Sequence, residues 1–259
     1  MNLNLTGKNA FVGGGSKGIG LASAVELALL GANVIIASRS EEDLKVAIKL
    51  LDIAKGQTHD YLVVDYSNLP KLQIKVEQLA LEKKGIQILV NNTGGPAGGP
   101  IKDATSSEFI AAFNNHLLAN HLLVQTLVPG MQKSNYGRVI NIISTSVKIP
   151  LNGLGVSNTI RGAVASWAKT MANELGAFGI TVNNVLPGAT ATERLESIIK
   201  NKAKKIAKEE AIVAEQMKSV IPMNRFAEPN EIGSFVAFLA SPAAAYINGT
   251  STPVDGGRT

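Results

Sequence analysis

The chain has 259 residues, 45% of them hydrophobic, which is enough for one domain with a sizeable core and short for two. The absence of cysteine excludes disulfides, thiolate nucleophiles and cysteine metal sites. Its 25 basic and 20 acidic residues leave a charge of +5, which suits an anionic partner, a phosphorylated cofactor as well as nucleic acid. An aromatic content of 5% argues against stacking surfaces for single-stranded nucleic acid.

No run reaches the roughly 20 apolar residues of a membrane span. The first eight residues lack the long apolar stretch of a secretory signal, so a cytoplasmic location is expected. Asn9 to Gly13 reads as a short apolar strand running into glycines, and Ile19 to Leu30 as a helix stopped by Gly31. Strand 34–37, helix 41–54, strand 61–64, helix 69–84 and strand 86–90 follow. Helix 109–131, strand 138–143, helix 159–175, strand 180–185, helix 229–239 and a short last strand around 246–248 complete the alternation. Strands apolar on both faces and alternating with helices predict an α/β Rossmann fold. It is a doubly wound parallel sheet of about seven strands, with helices on both faces and one domain over 1–259. A lysine-rich amphipathic stretch from Glu193 to Lys218 stands apart, within a helical insertion at about 189–224. Its apolar Ile199, Ile206 and Val213 repeat every seven residues, and it suits a mobile cover over a pocket or a plain solvated face.

Gly14, Gly18 and Gly20 lie between a strand and a helix. There a tight turn, close backbone approach and helix amides can receive a pyrophosphate. No Lys-Ser or Lys-Thr pair follows Gly18, which argues against a nucleotide triphosphatase. The second strand ends in Ser38-Arg39-Ser40 rather than in an acid that would bind ribose hydroxyls. Arg39 can pair with a 2′-phosphate, Lys17 adds a second cation, and with no competing acid NADP(H) is the expected cofactor. Asp65 ends the third strand, placed to accept from an adenine amino group, and Asn91-Asn92-Thr93-Gly94 ends the fourth.

These features resemble the short-chain dehydrogenase/reductase family, in particular its 3-oxoacyl-acyl-carrier-protein reductase-like members, from about Leu5 to Gly257. Gly13 stands where the family usually has threonine, and Thr93 where it has alanine. Pro187-Gly188, Thr192, Arg225, Pro229, Glu231 and Val254-Asp255-Gly256-Gly257 also match. The resemblance implies a cofactor set of Gly14, Ser16, Lys17, Gly18, Ile19, Gly20, Arg39, Asp65, Tyr66, Asn91, Thr93, Gly94, Arg161, Pro187, Gly188, Thr190 and Thr192. It also implies a homodimer or homotetramer.

Carried over residue by residue, the family's catalytic serine falls on Ser144. Its tyrosine falls on Ser157, its lysine on Arg161 and its asparagine on His116. The usual proton donor is therefore absent. His116, with an ordinary pKa near neutrality, is the candidate substitute, with Ser144 and Ser157 orienting the substrate. A packed structural histidine is the plainer reading of the same residue. Three scattered histidines make no recognisable zinc site, and no metal is expected. Two functions follow. One is an NADP(H)-dependent oxidoreductase interconverting a small-molecule carbonyl and alcohol, with a 3-oxoacyl compound among the candidates and a non-standard proton path. The other is an inactive dinucleotide-binding relative acting as sensor or partner subunit. No nucleic-acid or membrane partner is expected.

Overall fold

The computed structural model describes residues 1–259. Its strands are β1 (Asn9–Gly13), β2 (Asn33–Ser38), β3 (Asp60–Val63), β4 (Ile88–Asn91), β5 (Gly137–Ile142), β6 (Ile180–Pro187) and β7 (Ser251–Val254). They form one parallel sheet in the order β3-β2-β1-β4-β5-β6-β7. Nine α-helices connect or flank them: α1 (Gly18–Leu29), α2 (Glu41–Ala47), α3 (Leu69–Glu82), α4 (Ser106–Phe113), α5 (Ala119–Lys133), α6 (Gly155–Leu175), α7 (Glu193–Ile206), α8 (Glu210–Lys218) and α9 (Pro229–Ala240).

Side chains of a strand alternate between faces, so neighbours in sequence enter different cores. Ala10, Val12, Val34, Ile36, Ile88 and Val90 pack with Ala24, Leu27 and Ala28 of α1 and Ile232, Val236 and Leu239 of α9. Phe11, Ile35, Ala37 and Leu89 pack on the other face with residues of α3, α5 and α6. The approach of α9 to α1 depends on Gly233, where a Cβ would sit 2.7 Å from the Ala22 carbonyl oxygen.

A ladder of amides crosses the C-terminal half of the sheet. Asn91 Nδ2 donates to Asn141 Oδ1 (2.8 Å), Asn141 Nδ2 to Asn184 Oδ1 (3.0 Å), and Asn184 Nδ2 to Ser251 Oγ (3.0 Å). The four residues are register partners on β4, β5, β6 and β7, so parallel pairing alone brings them together. The ladder pairs the amides in a dry region, leaving only Asn91 Oδ1 at its start without a partner, and fixes the strand ends that carry the site.

Several boundaries differ from the sequence reading, each for a local reason. Helix 41–54 stops at Ala47, with a 3₁₀ turn to Leu50, because Asp52 closes a turn by accepting from Ala54 N (2.9 Å). Helix 109–131 is interrupted by a π turn over Asn114–Leu118. α6 begins at Gly155 rather than 159; glycine hides that start, yet a Cβ there would lie 2.4 Å from Ile101 Cβ. The last strand is Ser251–Val254, not 246–248, and Pro253 is tolerated because β7 is an edge strand. Tyr246 is fully exposed. The seven-residue repeat of the lysine-rich segment does not run through, since the backbone turns left-handed at Ala207 (φ 50°). Ile199 and Val213 are buried while Ile206 is not.

Candidate active site

The strand order reverses between β1 and β4, and the crevice beyond their C-terminal ends is where an open α/β sheet receives a ligand. The β1–α1 turn forms one wall. Gly14 and Gly18 have φ values of 55° and 54°, which L side chains rarely adopt. A Cβ on Gly20 would meet the Gly14 carbonyl oxygen at 2.1 Å and Asn92 Nδ2 at 2.7 Å. Lys17, the N-cap of α1, gives no side-chain cap, so the first amides of the helix are free for an anion. Asn92 braces the turn, donating from Nδ2 to the Gly13 carbonyl (3.1 Å). Asn92 was not among the sequence-derived site residues. Alternation along β4 is the signal that separates it from Asn91, whose side chain is committed to the amide ladder and is not turned to the crevice.

The other wall is made by the ends of β2 and β3. Arg39 is exposed and has no acidic partner within salt-bridge distance. Asp65 accepts from Ser67 N (2.9 Å) and Ser67 Oγ (2.8 Å), and these bonds, with a smaller contribution from Arg39, hold its carboxyl below the ordinary range. Lys17 is less free than its sequence position suggests. It lies 3.4 Å from Asp43 and 3.6 Å from Glu193, both exposed, so acids do compete for it.

Gly13 and Tyr66 are coupled. A Cβ on Gly13 would lie 2.4 Å from Tyr66 Oη, so the phenol fills the space that a side chain at 13 would take. The Tyr66 hydroxyl is buried without a hydrogen-bond partner, and burial raises its pKa. Gly13→Thr alone should therefore destabilise the fold by about 2 kcal/mol, as overpacking does. Adding Tyr66→Val should recover part of that loss, since the Asn92 carbonyl oxygen, 2.9 Å from the same Cβ, stays in place. Denaturant midpoints of the two single variants and the double variant check the coupling, and simple additivity would refute it.

The catalytic candidates lie on three elements. Ser144 follows β5, half-buried, with Oγ accepting from Ser146 N (3.1 Å). Ser157 and Arg161 lie one turn apart on α6, and Ser157 Oγ makes no hydrogen bond within the chain. Arg161 is buried and donates from Nη1 to the Ile142 carbonyl (3.2 Å), which ties α6 to the end of β5. The π turn brings His116 inward, where it is 2% exposed and Nδ1 shares a short hydrogen bond with Thr93 Oγ1. Burial, with the nearby Arg161 charge adding to it, lowers the His116 pKa to about 3. Burial thus favours the neutral imidazole at pH 7, which weighs against His116 as an acid. Arg161, lowered to about 10 by burial and by Arg194, remains a cation. Thr93, read as a cofactor contact, spends its hydroxyl on His116.

α7 closes the site. Thr192 caps it by accepting from Leu195 N (3.4 Å), and its methyl would lie 3.2 Å from a Cβ on Gly18, so α7 starts against the glycine turn. Thr190 is buried, with its hydroxyl donating to the Gly188 carbonyl (3.1 Å) and so not offered to the crevice. Arg194 reaches across to donate to the Pro96 carbonyl (2.7 Å); the sequence reading missed it because only Thr192 of this stretch matched a motif. A cavity of about 240 Å³ lies under the 94–97 loop, lined in part by Asn115, His116 and Val156. A larger one, about 340 Å³, lies between the start of α9 and the C-terminal segment and contains none of the catalytic candidates. The remaining histidines are structural: His59 Nδ1 accepts from Val34 N, and His121 Nδ1 from Trp167 Nε1.

The crevice and its glycine turn define a doubly wound dinucleotide-binding protein of the Rossmann class. The family model described as enoyl-(acyl carrier protein) reductase matches residues 14–259. The 3-oxoacyl-[acyl-carrier-protein] reductase of Vibrio cholerae is 33% identical over 258 residues, covering 98% of each chain. A chloroplastic tropinone reductase homologue of Arabidopsis thaliana is 32% identical over 99% of this chain and 77% of its own. L-sorbose reductase from Gluconobacter frateurii, solved with NADPH and L-sorbose, superposes with a TM-score of 0.93 at 30% identity, covering 100% of this chain and 98% of its own. The chain belongs to the short-chain dehydrogenase/reductase family of oxidoreductases. No helix is long and apolar enough to cross a membrane.

Proposed function

We propose that this protein is an NADPH-dependent reductase of a small carbonyl compound. The observation that carries the reading is the glycine cradle braced by Asn92 in front of the uncapped α1 terminus. Arg39, without a salt bridge at the end of β2, supports the 2′-phosphate form of the dinucleotide.

A bound reduced nicotinamide supplies a hydride. Ser144 Oγ donates a hydrogen bond to the substrate carbonyl and so stabilises the negative charge that develops on that oxygen. Neither Ser157 nor neutral His116 is an acid at pH 7, so the proton comes from water, passed along Ser157 or the Thr93–His116 pair. A homo-oligomer belongs to the same reading by family resemblance.

Transfer of deuterium from 4-deuterated NADPH to a product across a carbonyl panel tests the reaction. Tight NADPH binding with no transfer to any carbonyl would favour the second reading, a dinucleotide-binding sensor or partner subunit. That reading draws its support from the loss of the tyrosine and lysine and from the neutral His116. Arg39→Ala should weaken NADPH about tenfold and leave NADH unchanged. Lys17→Ala should weaken NADPH by less than about threefold, because Asp43 and Glu193 already share that charge. Fluorescence titration with both cofactors measures each change.

A further inference from the structure

The substrate side of the crevice carries an unbalanced positive charge. Arg161 is buried, makes a single hydrogen bond to a neutral carbonyl and has no carboxylate within salt-bridge distance. Arg194 also binds only a neutral carbonyl, that of Pro96, leaving most of its N–H groups free. Its Nη2 lies 3.6 Å from where a Cβ on Gly95 would be, and Gly95 lines the cavity that contains His116. The two guanidiniums feel each other's charge, and Arg161 acts in turn on His116. The one carboxylate lining the cavity, Glu108, is turned to the start of α4, where it accepts from Thr105 N (2.7 Å) and Thr105 Oγ1 (2.9 Å). A buried cation without a counter-charge is costly, and a protein keeps one where a ligand supplies the missing charge.

We propose that the substrate is an oxo acid, its carboxylate held between Arg161 and Arg194 while the carbonyl a few bonds away faces Ser144. The assignment rests on the reductase reading for the carbonyl, and on Arg161 and Arg194 alone for the carboxylate. A planar guanidinium offers the paired donors that a carboxylate accepts, which explains an arginine, rather than the family's lysine, at position 161. The phosphates of a dinucleotide do not meet this charge, since the glycine turn, α1 and Arg39 serve them on the other half of the crevice. Arg194, reaching from α7 to the 94–97 loop, would close the site over the acid.

The test uses the full-length protein and a panel of straight-chain 2-oxo and 4-oxo acids, each beside its methyl ester. Calorimetric titration onto protein saturated with NADP⁺ reads binding without turnover. At least one acid should bind about tenfold or more tighter than its ester, and Arg194→Met should erase that difference while changing NADP⁺ affinity by less than about twofold. Arg194→Lys should restore part of it. The proposal is overturned if no acid outbinds its ester, or if the preference survives Arg194→Met. It is also overturned if Arg194→Met weakens NADP⁺ as much as it weakens the acid, which would make Arg194 a pyrophosphate ligand. Should the dinucleotide not bind, the reductase reading fails by itself, and the same titrations on the ligand-free protein still decide the acid against the ester.

Discussion

Replacing Gly20 with alanine will abolish dinucleotide binding and destabilise the protein by about 3 kcal/mol or more. The added methyl would lie 2.1 Å from the Gly14 carbonyl oxygen and 2.7 Å from Gly14 C, both main-chain atoms in the turn itself. No rotamer change can relieve a backbone contact. The turn must open or α1 must withdraw, and either movement breaks the donation of Asn92 Nδ2 to Gly13. The same substitution at Gly162 meets nothing within 4 Å and is the control for a helical glycine in open space. Circular dichroism melts and NADPH titration of both variants separate loss of the turn from loss of the fold. A Gly20→Ala protein that binds NADPH like the wild type would show that the turn is not the phosphate cradle.

The fold was legible because its signals are local and repeated. Every strand of the sheet except β7 coincides in large part with a short apolar run, and those runs alternate with helical spacing. β7 was misplaced because Pro253 looks unlike a strand interior, and only its edge position makes it one. The cofactor half of the site was legible for the same reason: glycines at a fixed spacing act within a few residues of one another. Side-chain commitments were not. Lys17 meets Asp43 and Glu193, Asn91 meets Asn141, and Thr93 meets His116, all across separations that no spacing rule reports.

Several departures from the family pattern meet a neighbour that fits them, and two of them meet each other. Gly13 makes room for the Tyr66 ring, and Thr93 in place of alanine bonds the His116 that replaces asparagine. Arg161, in place of lysine, lies within the field of Arg194. Two substitutions arising at random have no reason to bond each other, as Thr93 and His116 do. Paired ones have the form of a site rebuilt around a different charge balance, which favours altered chemistry over a silent relative.

The second large effect is on acid stability. His116 is 2% exposed and its pKa falls from an ordinary 6.5 to about 3, chiefly through burial and secondly through Arg161. Between those values the unfolded chain binds a proton at this position and the folded chain does not, so stability rises with pH across the window. The contribution is fully present above pH 6.5 and is lost progressively as pH falls toward 3, at about 5 kcal/mol over the whole span. His116→Asn keeps a polar group within reach of Thr93 but cannot titrate. At pH 8 the variant should be less stable by about 1–2 kcal/mol, from lost packing and a loosened hydrogen bond. As pH falls below 6 the gap should close, and near pH 4.5 the variant should become the more stable protein. Urea unfolding at a series of pH values checks the crossing. Parallel stability curves would mean that His116 titrates alike in the folded and unfolded chains, near its ordinary 6.5, and would return it to the role of proton donor.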